Sequence, residues 1–187
     1  MAKMLCDEKY IACIGSREIS TEVAEALNML GTYIVESGTV LISGNAKGSD
    51  QAFANGGNSI DPTMVMLYLP WATYEKQAIK EGNRIIDVSL IDKVPVRKAR
   101  FEKLASDHHP AWNKLTQGVH RLMLRNAAII AKADLVLAYP SKNKQGGGGT
   151  GHGIRIANTL GKSILDLSKV LNIESVKSEI AKISNLQ

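Results

Sequence analysis

Three segments of the chain combine glycine with residues that can contact an anion. They are Gly15-Ser16-Arg17, residues 43–50 (SGNAKGSD) and residues 146–153 (GGGGTGHG). Glycine lets the backbone approach a phosphate closely and turn its N–H groups toward it. Four successive glycines exceed what a simple turn needs. These residue types therefore predict binding of a phosphate-bearing ligand.

The candidate phosphate-binding residues come from these segments and from one pair elsewhere, Arg125-Asn126. They are Gly15, Ser16, Arg17, Ser43, Gly44, Lys47, Gly48, Asp50, Arg125, Asn126, Gly147, Gly148, Gly149 and Thr150. Arg17 is favoured as an anion contact because its loop is otherwise suited to one. For Asp50 and Arg125-Asn126 a purely structural role is equally compatible. If phosphates bind, Arg17, Lys47 and Arg125 should border one basic crevice.

Catalysis has three candidate residues, Asp50, His152 and Arg125, which do not form a complete set. His152 follows the glycine run, where it can contact a phosphate or exchange a proton near neutral pH. A capping-region role is at least as compatible with its position. His108 and His109 are adjacent, which suits neither a helical nor a strand metal site, so no metal is expected. No cofactor is expected either. Neither G-x-x-x-x-G-K-[ST] nor a clean G-x-G-x-x-G follows the first strand, which disfavours ATP hydrolysis and hydride transfer.

The periodicity of the first half predicts the elements that would carry these segments. Strands are expected at residues 10–14, 39–43 and 63–69, with helices from Ser20 to Gly38 and at 51–55. Alternation of this kind implies parallel strands joined by crossover helices. Loops after parallel strands meet at one edge of the sheet, so the three glycine segments should converge there.

The second half continues the pattern less regularly. Helices are expected at 74–81, 96–106, 112–133 and 150–160, with strands at 135–139 and 163–167, and residues 84–92 fit either a strand or a loop. The fold class predicted is α/β, a Rossmann-like three-layer domain with a mainly parallel sheet. Residues 1–187 are expected to form a single domain, with a C-terminal helix at about 170–185.

Composition indicates where the protein is located but does not identify a binding partner. The net charge of +5 is compatible with an anionic partner but does not require one. Cys6 and Cys13 have neither metal-like nor redox-like spacing, and Cys13 is expected in the core. No apolar stretch has the length of a signal peptide or a membrane span. We therefore expect a cytoplasmic protein without membrane contact.

Five sequence blocks occur in a familiar order. They are IACIGSR at 11–17, SGNAKGSDQAFANG at 43–56, MLRNAAII at 123–130, ADLVLAYP at 133–140 and GGTGHGIRIAN at 148–158. Together they resemble the DNA-processing protein A (DprA/Smf) branch of the SLOG superfamily, most of all its short bacteriophage forms. The resemblance implies a Rossmann-like SLOG fold and binding of single-stranded DNA or a nucleotide at the strand ends. It also implies a part in DNA recombination or processing, and a homo-oligomer, a dimer.

The resemblance carries over residue by residue only in part. Ser16-Arg17 matches the family's G-[ST]-R turn, the segment 43–50 its S-G-x-A-x-G-x-D turn, Arg125-Asn126 its R-N pair, and residues 148–150 its second phosphate-facing turn. The long forms continue into a winged-helix tail that has no counterpart in these 187 residues.

The related lonely-guy phosphoribohydrolases carry P-G-G-x-G-T-x-x-E, whose glutamate is catalytic. In this chain Gln145 stands at the proline and Gly153 at the glutamate. Binding without chemistry is therefore the leading expectation. A nucleotide N-glycosidase, with Asp50 or His152 replacing the missing acid, and a sensor or sponge of a nucleotide-derived signal remain the alternatives.

Overall fold

The computed structural model describes residues 8–141, 147–169 and 172–184, without the side chains of 91–93. Its strands are β1 Tyr10–Gly15, β2 Val40–Ser43, β3 Val65–Leu69, β4 Arg84–Asp87, β5 Leu135–Tyr139 and β6 Ser163–Asp166. Its helices are α1 Thr21–Glu36, α2 Ser49–Asn58, α3 Pro95–Asp107, α4 Gln117–Lys132, α5 Gly148–Thr159 and α6 Ile173–Ser184. Cys6, Gln145, Gly146 and Val170 lie outside the described residues.

The strands form one six-stranded sheet in the order β4-β3-β2-β1-β5-β6. Every neighbouring pair is parallel, which confirms the α/β Rossmann-like class. The chain moves outward from β1 to β4 and then returns to β5, on the other side of β1. This reversal creates a crevice beyond the carboxyl ends of β1 and β5, where ligands bind in open α/β sheets.

The register of β1 places the glycine segments at that crevice. Gly15, the last residue of β1, pairs with Tyr139, the last residue of β5. Cys13 pairs with Ser43, the last residue of β2. The loops that follow these three strands therefore leave the same edge of the sheet, as the sequence predicts.

Helices cover both faces of the sheet. One apolar cluster joins strand residues such as Ala12 to α3, α4 and α5, and the other joins Ile11 to α1, α2 and α6. Adjacent residues of β1 point to opposite clusters, and both are fully buried. A strand buried on both faces needs apolar residues throughout, which explains its continuous apolar run. Cys13 lies in the second cluster with no exposed surface, in agreement with the expectation of a core residue.

Close backbone packing sets the position of α2 against α1. A Cβ atom added to Gly31 would lie 2.0 Å from the Phe53 carbonyl oxygen, and one on Gly56 would lie 1.9 Å from the Asn28 carbonyl oxygen. The two helices therefore touch through glycines that tolerate no side chain. Because α2 begins at Ser49, this contact also fixes the end of the segment 43–50.

Several predicted boundaries differ from the structure. The helix expected at 112–133 is interrupted: Trp112–Lys114 is a short 3-10 turn, and α4 begins after Thr116, whose side chain accepts a hydrogen bond from the Val119 N–H. Such a cap ends helical structure on its N-terminal side. The helix expected at 74–81 is only a 3-10 turn, because Glu75 adopts a left-handed conformation with φ of 45°.

The ambiguous segment 84–92 is an edge strand, β4, followed by a 3-10 turn. Helix α5 begins at Gly148, two residues before the predicted start, so the last glycines belong to its first turn. Within the described residues, no helix is both long and apolar enough to cross a membrane.

Candidate functional site

A cavity of about 200 Å³ lies beyond the carboxyl ends of β1 and β5. Its walls are formed by Ile14, Gly15, Ser16, Arg17, Glu18, Ala46, Asp50, Leu122, Met123, Arg125, Asn126, Ser141, Gly147, Gly148, Gly149 and Thr150. Most of the sequence-predicted site residues are among them. The structure leaves Ser43, Gly44, Lys47, Gly48 and His152 off these walls.

Asp50 forms the floor of the cavity and links two of the loops. Its Oδ1 accepts a hydrogen bond from the Gly15 N–H at 3.2 Å, and its Oδ2 accepts one from the Ala46 N–H at 3.3 Å. The side chain is buried, and burial raises the pKa of its carboxyl group, while Arg125 and the backbone donors act in the opposite direction. Both carboxylate oxygens therefore hold the backbone in place.

Arg125 and Asn126 link the segment 43–50 to the beginning of α5. Both side chains are buried in α4. Arg125 Nη1 donates to the Gly44 carbonyl oxygen, while its Nε and Nη2 donate to Asn126 Oδ1 at 3.3 and 3.1 Å. Asn126 Nδ2 in turn donates to the Gly149 carbonyl oxygen at 3.1 Å. A guanidinium carries five N–H donors, so two of those on Arg125 have no assigned acceptor among these contacts.

The segment 43–50 supports the cavity from outside it. Ser43 Oγ donates to the Cys13 carbonyl oxygen at 2.8 Å. A Cβ atom on Gly44 would lie 2.3 Å from Arg125 Nη1, so a side chain at this position would displace the guanidinium. Gly48 has a φ of 82°, and a Cβ atom there would lie 2.5 Å from the carbonyl oxygens of both Ser16 and Arg17. These three residues position the loops.

The expected basic crevice is only partly present. Arg17 and Arg125 line the cavity, but Lys47 is exposed and lies off its walls. Two carboxylates, Glu18 and Asp50, line the same cavity. The walls of this cavity therefore include two of the three cations, and a basic crevice shared with Lys47 stays a prediction.

The third loop contributes the beginning of α5. Gly147 is the N-cap residue and provides no side-chain cap, and residues 147–149 are exposed. The first N–H groups of a helix have no acceptor within the helix, and they carry the positive end of its dipole. Gly147 through Thr150 form part of the cavity wall, so this helix end lies at the cavity.

His152 lies outside the cavity, between α5 and α3. Its ring has no exposed surface, and Nε2 lies 2.9 Å from the Ala105 carbonyl oxygen. Burial lowers the pKa of His152 to about 4, so the ring is neutral at physiological pH. A Cβ atom on Gly153, which aligns with the catalytic glutamate of the phosphoribohydrolases, would lie 2.8 Å from Ile14 Cδ1. This position faces the core.

The structure also identifies wall residues that the sequence did not single out. They are Ile14, Glu18, Ala46, Leu122, Met123 and Ser141. One signal was available for Leu122, because it precedes Arg125 by three residues and so shares its helix face. Glu18 directly follows Arg17 in the first loop. Leu122 and Met123 give one wall an apolar character, which suits a sugar or a base beside a phosphate.

The arrangement suits binding more than catalysis. It offers a guanidinium with unassigned donors, a helix N-terminus and an apolar wall, which together fit a phosphate joined to an organic group. The described residues contain no group of three or more His, Cys, Asp or Glu side chains that could hold a metal ion.

Comparison with known proteins supports the family resemblance of the sequence blocks. The family model for DNA recombination-mediator protein A matches residues 2–67. DNA processing protein A from Helicobacter pylori, whose structure was described for its unique single-stranded DNA binding mode, aligns with 97% of this chain and 84% of its own. The TM-score is 0.60 and the sequence identity is 17%.

A second solved structure, DNA processing protein A from Streptococcus pneumoniae, aligns with 92% of this chain at a TM-score of 0.55 and 16% identity. The alignment spans 56% of that protein, so this chain corresponds to little more than half of it. Among curated proteins, none matches the sequence. The resemblance to the DprA family is confirmed by these matches, and the fold is the one that these proteins share.

Proposed function

We propose that this chain binds single-stranded DNA at the cavity between β1 and β5, as part of DNA recombination or processing. The observation that carries the proposal is the placement of Arg125. Its guanidinium is buried, held by the Gly44 carbonyl and Asn126, and lines the cavity beside the first turn of α5. A charged donor fixed in this way loses little freedom when it contacts a phosphate.

The size and lining of the cavity favour an unpaired strand. About 200 Å³ accommodates one sugar–phosphate unit or one base, and a base in a duplex cannot leave its stack to enter without losing its pairing. Arg17 is exposed at the wall and supplies a second cation. The family match and the DprA-like fold support DNA as the source of the phosphate, while a free nucleotide would use the same contacts.

Turnover of a bound nucleotide has less support than binding. Cleavage of an N-glycosidic bond needs a carboxylate near the sugar and a proton donor near the base. Each carboxylate oxygen of Asp50 already accepts a hydrogen bond from a backbone N–H group, and the His152 ring lies against α3. The glycine at position 153 packs against Ile14 and carries no carboxylate. We therefore propose binding without cleavage.

The binding test is a salt titration with a fluorescent oligothymidylate. Arg17→Ala should weaken binding and reduce the slope of log K against log salt by about 0.7, the value for one phosphate contact on a single strand. Arg97→Ala is the matched control, because Arg97 is exposed on α3 and does not line the cavity. Equal affinities and slopes for wild type and Arg17→Ala would remove this arginine from the site.

A second test separates binding from turnover. The protein is incubated with each common ribo- and deoxyribonucleoside monophosphate, and free base is measured by chromatography. We expect no base release, together with a thermal shift from a nucleotide or a short oligonucleotide. Release that is lost in Asp50→Asn protein would establish the glycosidase instead. A thermal shift from mononucleotides with no binding of oligonucleotides would favour a nucleotide sensor.

The dimer that the family resemblance implies is part of the same proposal. Sedimentation velocity at the concentrations used for DNA binding should show twice the mass of one chain. A monomer that binds DNA with full affinity would contradict this part.

A further inference from the structure

A second depression lies beside the cavity, between α1 and α2. This α1–α2 groove has a volume of about 580 Å³ and is wide open to solvent. Apolar side chains form much of its surface, including Ile19, Ala24, Ala52 and Met29, and Met29 is 53% exposed. The binding site proposed above makes no use of this surface.

Adjacent residues of the chain line the cavity and the groove, and a ridge separates the two. Arg17 and Glu18 line the cavity, whereas the next residue, Ile19, lines the groove. In the first turn of α2, Asp50 lines the cavity and Gln51 lines the groove. The ridge itself is the contact of Gly48 with the Ser16-Arg17 backbone, where no Cβ atom would fit. A chain-like ligand in the cavity therefore reaches the groove by crossing this ridge.

The ridge carries two exposed cations. Arg17 lies on its cavity side, and Lys47 directly precedes Gly48 while lying off the cavity walls. Both side chains are exposed, so both can turn toward a group that passes over Gly48. A phosphate that links two nucleotides, one on each side of the ridge, would meet both charges.

We propose that the α1–α2 groove is a base-binding subsite for the nucleotide that adjoins the one in the cavity. The inference rests on the proposed binding of single-stranded DNA. The linking phosphate crosses the ridge between Arg17 and Lys47, and the base lies on the apolar surface of the groove. Lys47 then has a role although it does not reach the cavity.

The lining of the groove favours a base over a phosphate. Its charged member is Glu25, a carboxylate that repels phosphate. Asn28 Nδ2 and Gln51 Nε2 donate to the backbone carbonyls of Ala52 and Asn45, at 3.5 and 3.1 Å. Each of these amides also carries an oxygen, which is the type of acceptor that the N–H groups of a base require. A flat base covers apolar surface in such a groove only when it is unpaired.

The test compares thymidine 5′-monophosphate with the 5′-phosphorylated dinucleotide. In the wild type the dinucleotide should bind at least about fivefold more tightly, as expected when the added base covers about 40 Å² of apolar surface at about 25 cal/mol per Å². Ala24→Leu fills the groove and should abolish this gain while leaving mononucleotide affinity unchanged. Ala99→Leu makes the same change at an exposed position of α3 and should keep the gain. Lys47→Ala should reduce both the gain and the salt dependence of dinucleotide binding.

The outcomes separate this inference from the proposed function. A dinucleotide gain that persists in Ala24→Leu protein overturns the groove subsite and leaves binding in the cavity intact. Failure of the wild type to bind mononucleotide, dinucleotide and oligonucleotide overturns the proposed function, and the subsite with it. If calorimetry shows that Ala24→Leu unfolds, Asn55→Leu fills the groove from an exposed position of α2 and gives the same readout.

Discussion

Replacing Arg125 by alanine tests whether one buried guanidinium holds the cavity together. The change removes the hydrogen bonds from Arg125 to the Gly44 carbonyl and to Asn126 Oδ1. It leaves the buried Gly44 carbonyl without this donor. It also removes the positive charge that favours ionisation of Asp50.

The cost can be estimated from these two losses. A buried acceptor left without a partner costs about 1–3 kcal/mol. Removing one member of a buried charge pair costs about 3–5 kcal/mol when the two groups are in contact. Arg125 and Asp50 interact through space, so losing this interaction costs less than breaking a contacting pair. Together with the unpaired Gly44 carbonyl, we expect a total loss of about 3 kcal/mol in the free energy of unfolding at pH 7.

The destabilisation caused by Arg125→Ala should depend on pH, and the direction of this dependence follows from the pKa of Asp50. Burial holds the folded-state pKa of this carboxyl above 3.8, its ordinary value, and the loss of Arg125 raises that pKa further. Because the pKa of Asp50 is higher in the folded state than in the unfolded state, this group contributes its full stabilisation at a pH below its unfolded-state pKa. The stabilisation is lost as pH rises through its folded-state pKa. The effect of Arg125→Ala should therefore be smallest in acid and increase toward neutral pH.

The assay is urea denaturation of wild type, Arg125→Ala, Asp50→Asn and the double variant, each measured from acid to neutral pH. The change in the free energy of unfolding caused by Asp50→Asn should be at least about 1 kcal/mol more favourable in Arg125→Ala protein than in the wild type. A coupling of this size is typical of neighbouring charges. A destabilisation that is independent of pH, with strictly additive single effects, would refute the electrostatic link between Arg125 and Asp50.

Two further predictions concern packing and protonation. Gly31→Ala places a methyl group 2.0 Å from the Phe53 carbonyl oxygen and should lower the free energy of unfolding by about 3 kcal/mol. In Gly118→Ala, a change in α4, the methyl group meets nothing within 4 Å, and the free energy of unfolding should rise by about 0.5–1 kcal/mol. Similar melting temperatures for the two variants would contradict the α1–α2 contact. The pKa of His152 lies near 4 instead of 6.5, so the free energy of unfolding should fall by up to about 3 kcal/mol as pH drops from about 6.5 to 4. His152→Phe should flatten this part of the pH profile of urea denaturation, and an unchanged profile would assign the titration elsewhere.

Local pattern was sufficient for the central sheet and for α1. The apolar run at the start of β1 is typical of a strand buried on both faces, and Ser20 caps α1 where its spacing predicts. Alternation of such elements implied parallel strands, and hence loops at a common edge. The site could be predicted this far because strand direction follows from the order of elements along the chain.

The ends of helices were less predictable where the backbone conformation of a single residue sets them. The helix expected through Trp112 stops because Thr116 caps α4, and apolar spacing alone does not distinguish a cap from a first helical turn. The helix expected at 74–81 fails at Glu75, whose left-handed conformation places its carbonyl oxygen within 3.1 Å of Asn45 Nδ2. That bond joins residues 30 positions apart, so no local pattern contains it.

The residue types alone therefore determined the fold class and the edge at which the glycine loops meet. Phosphate binding by those loops stays a prediction. Tertiary structure decided which candidates share a cavity. Arg125 reaches Gly44 across 81 positions of sequence, and the His152 ring lies against the Ala105 carbonyl of α3. Lys47, which precedes the tight contact at Gly48, is exposed and lies off the cavity walls. The physical reason is that a side chain's surroundings depend on which helix packs over which strand, and sequence spacing specifies only the face from which it projects.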